Sequence, residues 1–476
     1  MRYAQFKYLN ISLLICEITV ALLLTIPVIV EATSSEQVTL QDLLQRAEDK
    51  KLSSERFWHL LLHYKPTLWG GYTSEIDDPK FFLSGDGKTN PKAELIASIT
   101  SLFSETTAST PLKKIHCAYL ARYDWLQRHL FHDTQHMKKK SCEQFDKWLE
   151  KLQPQSLSLV FPATSMNNPE SMFGHTFLRV NRKENEGTDL LAYTINYTAQ
   201  VPSGSKGLQY ILKGISGGFK GQFTVAPYYI ALKEYRDIAN RDIWEYQLNF
   251  TEAQILRMLM HVWELQNTYF DYFFFKENCA YHLLSLLEVA DPQWSLRDNF
   301  TFWTIPADAT RLLTQHPDKV RNIRYFPSLN TEIKAKQTLL SQSENADFLK
   351  IIDDVDYIKS NDFELLPLQE QSSILDISEN YFMYKSFFDT DLSKSYHSKR
   401  QMILALRSNK KIATKNDKFT FTKPSPEKGH KSSRAVSALG LRNSKVFQEI
   451  RVRAAYHDLL DPDFGYPPNA QIQLLE

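Results

Sequence analysis

One stretch, Phe275–Glu288 (FKENCAYHLLSLLE), limits what this chain can fold into more than any other. After Asn278 it reads as a helix opening at Cys279, and Leu283, Leu284, Leu286 and Leu287 form an apolar stripe at helical spacing. Such a stripe needs a core to face. A cysteine on the first turn of a helix meets unsatisfied backbone N–H groups and the positive end of the helix dipole, and both favour thiolate over thiol. A thiolate needs a base. The best candidate is His175, far upstream in Ser171–Val180 (SMFGHTFLRV), a segment that reads as a strand.

The 476 residues suffice for two or three domains, and 43% hydrophobic with 13% aromatic content indicates folded protein. A formal net charge of +1 gives no electrostatic case for a nucleic-acid partner. At the N-terminus, Arg2 and Lys7 precede an apolar run from Ile11 to Val30, and Val30-Glu31-Ala32 fits a small-residue cleavage site. This reads as a secretory signal peptide over residues 1–32, with an uncleaved anchor as the alternative. No later segment is apolar enough to span a bilayer as a helix. Cys16 leaves with the signal, and Cys117, Cys142 and Cys279 remain in an oxidising compartment. Cys117 and Cys142 flank one helical stretch and are the natural disulfide. Cys279 is left over as a candidate reactive thiol, the alternative being a buried, inert cysteine.

Residues 33–154 read as a helical region. Thr39 caps LQDLLQRAEDKK, Asn90-Pro91 opens KAELIASITSLF, and Ser141 with Gln144 forms a capping box for CEQFDKWLEKL. Residues 155–310 change character to α+β. Strands are expected at Ser156–Phe161, at HTFLRV, at Leu190–Thr198 and at Ile243–Phe250. Thr251 with Gln254 caps the helix EAQILRMLMHVWELQ before the cysteine helix. Gly204–Gly221 holds six glycines and reads as a flap or a plain mobile connection. Residues 311–408 read as a helical extension, 409–431 as a linker, and 432–476 as a short terminal β segment.

No metal or cofactor is expected. His132 and His136 with Asp133 and His129 resemble a helical zinc signature, but Asp replaces the usual Glu and Lys138–Lys140 follow, so a solvated polar helix is preferred. The glycine-rich stretch lacks the G-K-[ST] ending of a phosphate loop.

The chemistry these residues suit is attack of Cys279 on an ester, thioester or amide carbonyl. His175 takes the thiol proton and returns it to the leaving group, and N–H groups at the helix start stabilise the oxyanion. Asn196, in TINYT, is the first candidate to orient the imidazole, with a purely structural asparagine as the alternative and Tyr193 as a substitute. Asn278 and Ser171 are polar neighbours suited to substrate or oxyanion contact. His282 is a rival base, but from one turn along the helix it reaches back poorly to a first-turn thiol.

The blocks SLVFPATSMNNPESMFGHTFLRV and FFKENCAYHLLSLLE resemble the two signature blocks of the Lnb N-terminal periplasmic domain family. RDIWEYQL, TIPADATR and FFLSGDGKTNPKAEL add to the likeness. The resemblance implies a permuted papain-like core, an antiparallel sheet plus a nucleophile helix, similar to NlpC-type and lecithin:retinol acyltransferase-type thiol enzymes. It assigns the nucleophile to Cys279, after Asn278, and the base to His175. It also implies N-acylation of bacterial lipoproteins, with a phospholipid or lipoprotein as partner, at the membrane. The location implied is the periplasm of a Gram-negative envelope, with an outer-membrane association where relatives continue into a β-barrel. GHKSSRAVSALGLR and AAYHDLLDPDFGYPPNAQIQLLE look like the opening of such a barrel, and closing one needs many more strands. The readings to separate are therefore an exported acyltransferase, a cysteine peptidase or amidase acting on peptidoglycan, and a non-catalytic envelope module.

Overall fold

The computed structural model describes residues 38–107, 114–131, 141–166, 172, 174–183, 189–202, 204–205, 207–389, 391–410, 422–453 and 455–474. The expected signal segment, Ser171, the pair His132 and His136, and the central part of the expected linker lie outside these residues. Among the described residues no helix is long and apolar enough to cross a membrane.

The N-terminal region is helical. Helix α1 (Leu40–Asp49) starts in a capping box between Thr39 and Asp42. A short hairpin of β1 (Tyr64–Pro66) and β2 (Tyr72–Ser74) follows, then α2 (Pro91–Thr107), with Asn90 accepting from the Ala93 N–H. Next come α3 (Leu120–Leu126) and α4 (Glu143–Leu152). The capping box expected from Ser141 and Gln144 is absent. Cys142 occupies the N-cap without a side-chain bond, and it is disulfide-linked to Cys117 with their Cα atoms 5.5 Å apart. Covalent anchorage of the helix start replaces a hydrogen-bonded cap.

The centre is a seven-stranded antiparallel sheet, which makes the chain α+β. Its strands are β3 (Pro154–Pro162), β4 (Phe177–Arg182), β5 (Tyr193–Gln200), β6 (Phe219–Pro227), β7 (Ile243–Leu248), β8 (Phe270–Tyr272) and β9 (Val320–Phe326). Their order is β8-β6-β5-β4-β3-β7-β9. Between β5 and β6, where a loose glycine-rich connection was expected, stands helix α5 (Gly207–Ser216). Its apolar residues recur at 208, 211, 212 and 215, a helical period that the glycine content masks in the sequence. Helices α6 (Glu252–Leu265) and α7 (Cys279–Ala290) lie against one face of the sheet, and α8 (Pro306–Thr314) packs beside α7.

Side chains alternate across the sheet as the pleat demands. Leu159, Phe161, Leu178, Val180, Ile195 and Tyr197 join α6 and α7 in the main core, which also takes in Leu43, Trp58 and Ile99 from the N-terminal helices. Val160, Phe177 and Ile243 point the other way, onto Tyr228 and Ala231. The N-terminal helices and the sheet thus share one core. A second core, built on Phe348, Ile351, Ile374, Ile377 and Ile403, belongs to α9 (Gln342–Asp353), α10 (Leu368–Phe388) and α11 (Ser393–Asn409). The chain closes with a hairpin of β10 (Arg434–Arg442) and β11 (Lys445–Arg453) and the short pair β12 (Ala455–His457) and β13 (Ile472–Leu474).

Candidate active site

Every residue of α7 is buried, which is unusual for a helix and follows from its composition. Its start is held by Asn278. The side-chain oxygen of Asn278 accepts from the Tyr281 N–H at 3.3 Å, and its amide nitrogen donates to the carbonyls of Phe274 at 3.0 Å and Thr304 at 2.6 Å. Asn278 therefore ties together the turn before the helix, the helix start and the segment leading into α8. These three bonds engage its amide in capping rather than in contact with a substrate.

Cys279, first residue of α7, carries a thiol outside the disulfide and is 3% exposed. The hydroxyl of Thr176 donates to its sulfur at 3.9 Å across a fully buried contact. Thr176 was not among the residues singled out in the sequence, and its signal there was only its position beside His175. In the structure it shares the parity of Leu178 and Val180, the residues of β4 that face α7.

His175 sits ahead of β4, which begins at Phe177, rather than within a core strand. Gly174, at φ +91°, precedes it, and a Cβ there would fall 2.6 Å from the ring of Phe161, so only glycine fits. The imidazole is 5% exposed and stacks on Tyr235 at 5.5 Å, with Phe177 at 6.3 Å. Phe177 and Tyr235 belong to the packing on the sheet face away from α7. Thr176 thus touches the thiol, while the neighbouring imidazole rests against the opposite layer. Burial, helped by the Arg241 guanidinium, pushes the His175 pKa down to about 3, so the ring is neutral near pH 7. Its Nε2 is buried without a hydrogen-bond partner among the described residues.

Asn196 lies on β5 and donates to the Thr194 hydroxyl at 2.8 Å. Tyr193 pairs with Val180, further along the ladder from the thiol end of β4. His282 is fully buried among Tyr197 at 4.2 Å and Phe270 at 4.5 Å, and burial lowers its pKa to about 3.

A polar network that no sequence motif marks lies beneath α7. Glu75 accepts from Arg297 at 2.8 Å, from the Tyr281 hydroxyl at 2.5 Å and from Lys65 at 2.7 Å. Arg297 also donates to Glu288 at 2.7 Å. Burial alone would raise the Glu75 pKa, but Arg297 and Lys65 outweigh it and the net shift is downward. Beside it, His63 Nε2 meets His261 Nε2 at 3.1 Å, and His261 Nδ1 meets Glu264 at 3.0 Å. These partners are up to 222 residues apart in sequence, so no local pattern could reveal them.

Among the described residues the group best suited to a metal is His430, His457 and Asp461, whose ligand atoms lie within 4.8 Å of one another. The two imidazole nitrogens face each other at 2.9 Å, and His430 Nδ1 is 2.8 Å from the Lys431 carbonyl. With His430 Nδ1 protonated, its Nε2 accepts from His457 Nδ1–H and both rings are satisfied without an ion.

The fold and this site define a class: an α+β protein whose buried helix, packed on an antiparallel sheet, opens with a thiol beside the first residues of a central strand. Residues 144–316, which carry all of these elements, match the Lnb N-terminal periplasmic domain. The chain thus holds a domain of an envelope family, in keeping with a periplasmic location. Residues 50–129 and 423–476 match two further families, each described as a domain of unknown function (DUF7843 and DUF7840). Comparison with curated proteins and with solved structures returns no match.

Proposed function

We propose that the chain is a cysteine-dependent acyltransferase acting on lipid or lipoprotein in the bacterial envelope, with its acyl group carried as a thioester on Cys279. The observation that carries the reading is the thiol itself. It is the first residue of a buried, Asn278-capped helix, with the Thr176 hydroxyl on its sulfur. The helix dipole and the donated hydrogen bond act against the cost that burial imposes on a thiolate.

In the proposed cycle the thiol proton passes to the neutral imidazole of His175, for which the ring turns from Tyr235 toward the strand start. The sulfur attacks the ester carbonyl, the carbon–oxygen bond to the leaving alcohol breaks, and imidazolium returns its proton to that alcohol. An amine then attacks the thioester, the carbon–sulfur bond breaks and the thiol is regenerated. Because burial disfavours imidazolium, proton transfer has to accompany sulfur attack rather than precede it. N–H groups at the start of α7 supply the oxyanion donors.

The test is incubation with acyl-labelled phospholipid. Hydroxylamine-sensitive label on Cys279, lost in Cys279→Ala and His175→Ala variants of unchanged circular dichroism, is the expected result. Addition of a lipoprotein amine moves the label into an amide in an acyltransferase, whereas free fatty acid without acceptor marks a hydrolase. A second reading, a non-catalytic envelope module, is favoured by the ring of His175 resting on Tyr235; unlabelled protein under all conditions would establish it.

A further inference from the structure

Helix α5 is held to the body by its inner side alone. Tyr210 stacks near Phe274 at 5.2 Å, and the Gly214 carbonyl accepts from the Phe274 N–H at 2.8 Å. A Cβ on Gly214 would fall 2.1 Å from the Phe274 ring, so the helix backbone lies directly on that aromatic. Phe274 is also the residue whose carbonyl Asn278 grips, which places α5 next to the turn that delivers Cys279.

Among the described residues nothing covers the opposite side of α5. Leu208, Ile211, Leu212 and Ile215 recur at i, i+3, i+4 and i+7 and are 71%, 38%, 57% and 47% exposed. A helix of a water-soluble protein ordinarily turns such a stripe inward; here the stripe is turned outward and glycine and tyrosine face the core. The segment that contains α5 is basic in sequence. From Leu190 to Lys233 the sequence carries Lys206, Lys213, Lys220 and Lys233 and no Asp or Glu. Lys213 and Lys220 are exposed. Lys220 stands opposite Asp271 of β8, so Lys213, on the helix itself and exposed, is the cation set beside the apolar stripe, a pairing that matches the interface of an anionic bilayer.

We infer that α5 is an interfacial helix that lays Leu208, Ile211, Leu212 and Ile215 into the surface of an anionic lipid membrane. This deepens the proposed function, since it would bring the start of α7 to the lipid, but the docking does not require the chemistry. The complementarity selects a membrane over a second copy of the chain: the stripe is one helix wide, and Lys213 beside it would repel its own image.

The experiment is co-sedimentation of the full chain with vesicles of phosphatidylcholine alone or mixed with phosphatidylglycerol. The chain and its Leu208→Ser/Leu212→Ser variant are compared, so that contributions from elsewhere cancel. Both leucines are exposed, so the variant keeps its fold by circular dichroism. The expected result is binding that rises with phosphatidylglycerol, falls at high salt, and drops at least tenfold in the variant. Lys213→Glu should remove part of the phosphatidylglycerol dependence. Equal binding by chain and variant overturns the inference, and so does light scattering that shows a dimer abolished by the same substitutions. Thioester formation on Cys279 from a short-chain acyl ester in free solution separates the two claims. A variant that forms the thioester but has lost vesicle binding supports docking, whereas a vesicle-binding chain that forms no thioester refutes only the chemistry.

Discussion

Single residues show how much of the site rests on burial. Three histidines, His63, His175 and His282, have pKa values pushed below the usual imidazole value, chiefly by desolvation. A folded-state pKa below the unfolded one means the unfolded chain binds more protons between the two values, so stability falls as the pH drops below about 6.5. Each such histidine contributes a slope of about 1.4 kcal/mol per pH unit in that window. His282→Phe, which fits the aromatic surroundings of Tyr197 and Phe270, is expected to flatten the stability curve between pH 6 and pH 4 by about one such slope, read from urea midpoints at each pH. Thr176→Val keeps the shape and removes the donor to the sulfur. It should raise the pH at which Cys279 becomes alkylatable and slow thioester formation roughly tenfold, the effect of about 1.4 kcal/mol. A pH profile unchanged by the substitution would leave Thr176 a packing residue only.

At the scale of elements, α7 and α5 are positioned by contacts of opposite kinds. The start of α7 is fixed by the three hydrogen bonds of Asn278. Asn278→Ala removes a cap and strands two buried carbonyls, and we expect a loss of about 2–4 kcal/mol by chemical denaturation. Helix α5 is fixed by closeness to an aromatic ring, so Gly214→Ala should cost about 1–3 kcal/mol through overpacking, and Phe274→Leu in the same chain should restore part of it. These two helices also mark where reading the sequence succeeds and where it stops. The helix and leucine stripe of α7 are local and were legible in FKENCAYHLLSLLE, whereas Asn278, read there as a substrate contact, is the cap. The capping boxes of α1 and α6 were equally plain, because Thr39 and Thr251 stand three residues before their partners. For α5 the six glycines outvoted the helical period. Around His175, strand propensity suggested a residue inside the ladder, but Gly174 with its positive φ ends the extended run two residues early. The face on which the imidazole lies depends on Tyr235, sixty residues away, and no spacing rule reports that.

For the molecule as a whole, the network of Glu75, Arg297, Glu288 and Tyr281 joins the N-terminal region to α7 and to the chain that follows it. With both partners buried, removing one leaves an uncompensated charge. Glu75→Gln is therefore expected to destabilise the chain by about 3–5 kcal/mol, and replacing Arg297 by Met together with Glu288 by Gln, which leaves no buried charge unpaired, should recover part of that loss. If the N-terminal helices instead unfolded in a separate early transition with α7 unaffected, the shared core would not be one cooperative unit. The extents of the three matched families, 50–129, 144–316 and 423–476, mark lengths of sequence; packing does not follow them, since Ile99, Leu286 and Ile472 lie in one core.

The shelter around Cys279 has a further bearing on how an odd thiol survives outside the cytoplasm. Mixed-disulfide formation requires an approaching oxidant to reach the sulfur in line, and a side chain 3% open to solvent slows that approach until the surrounding chain moves, as it must also move to admit an acyl donor. The hazardous interval is during maturation, when Cys279 competes with Cys142 for Cys117. Closing the Cys117–Cys142 loop, whose ends are 25 residues apart, ends that competition by taking up both rival sulfurs.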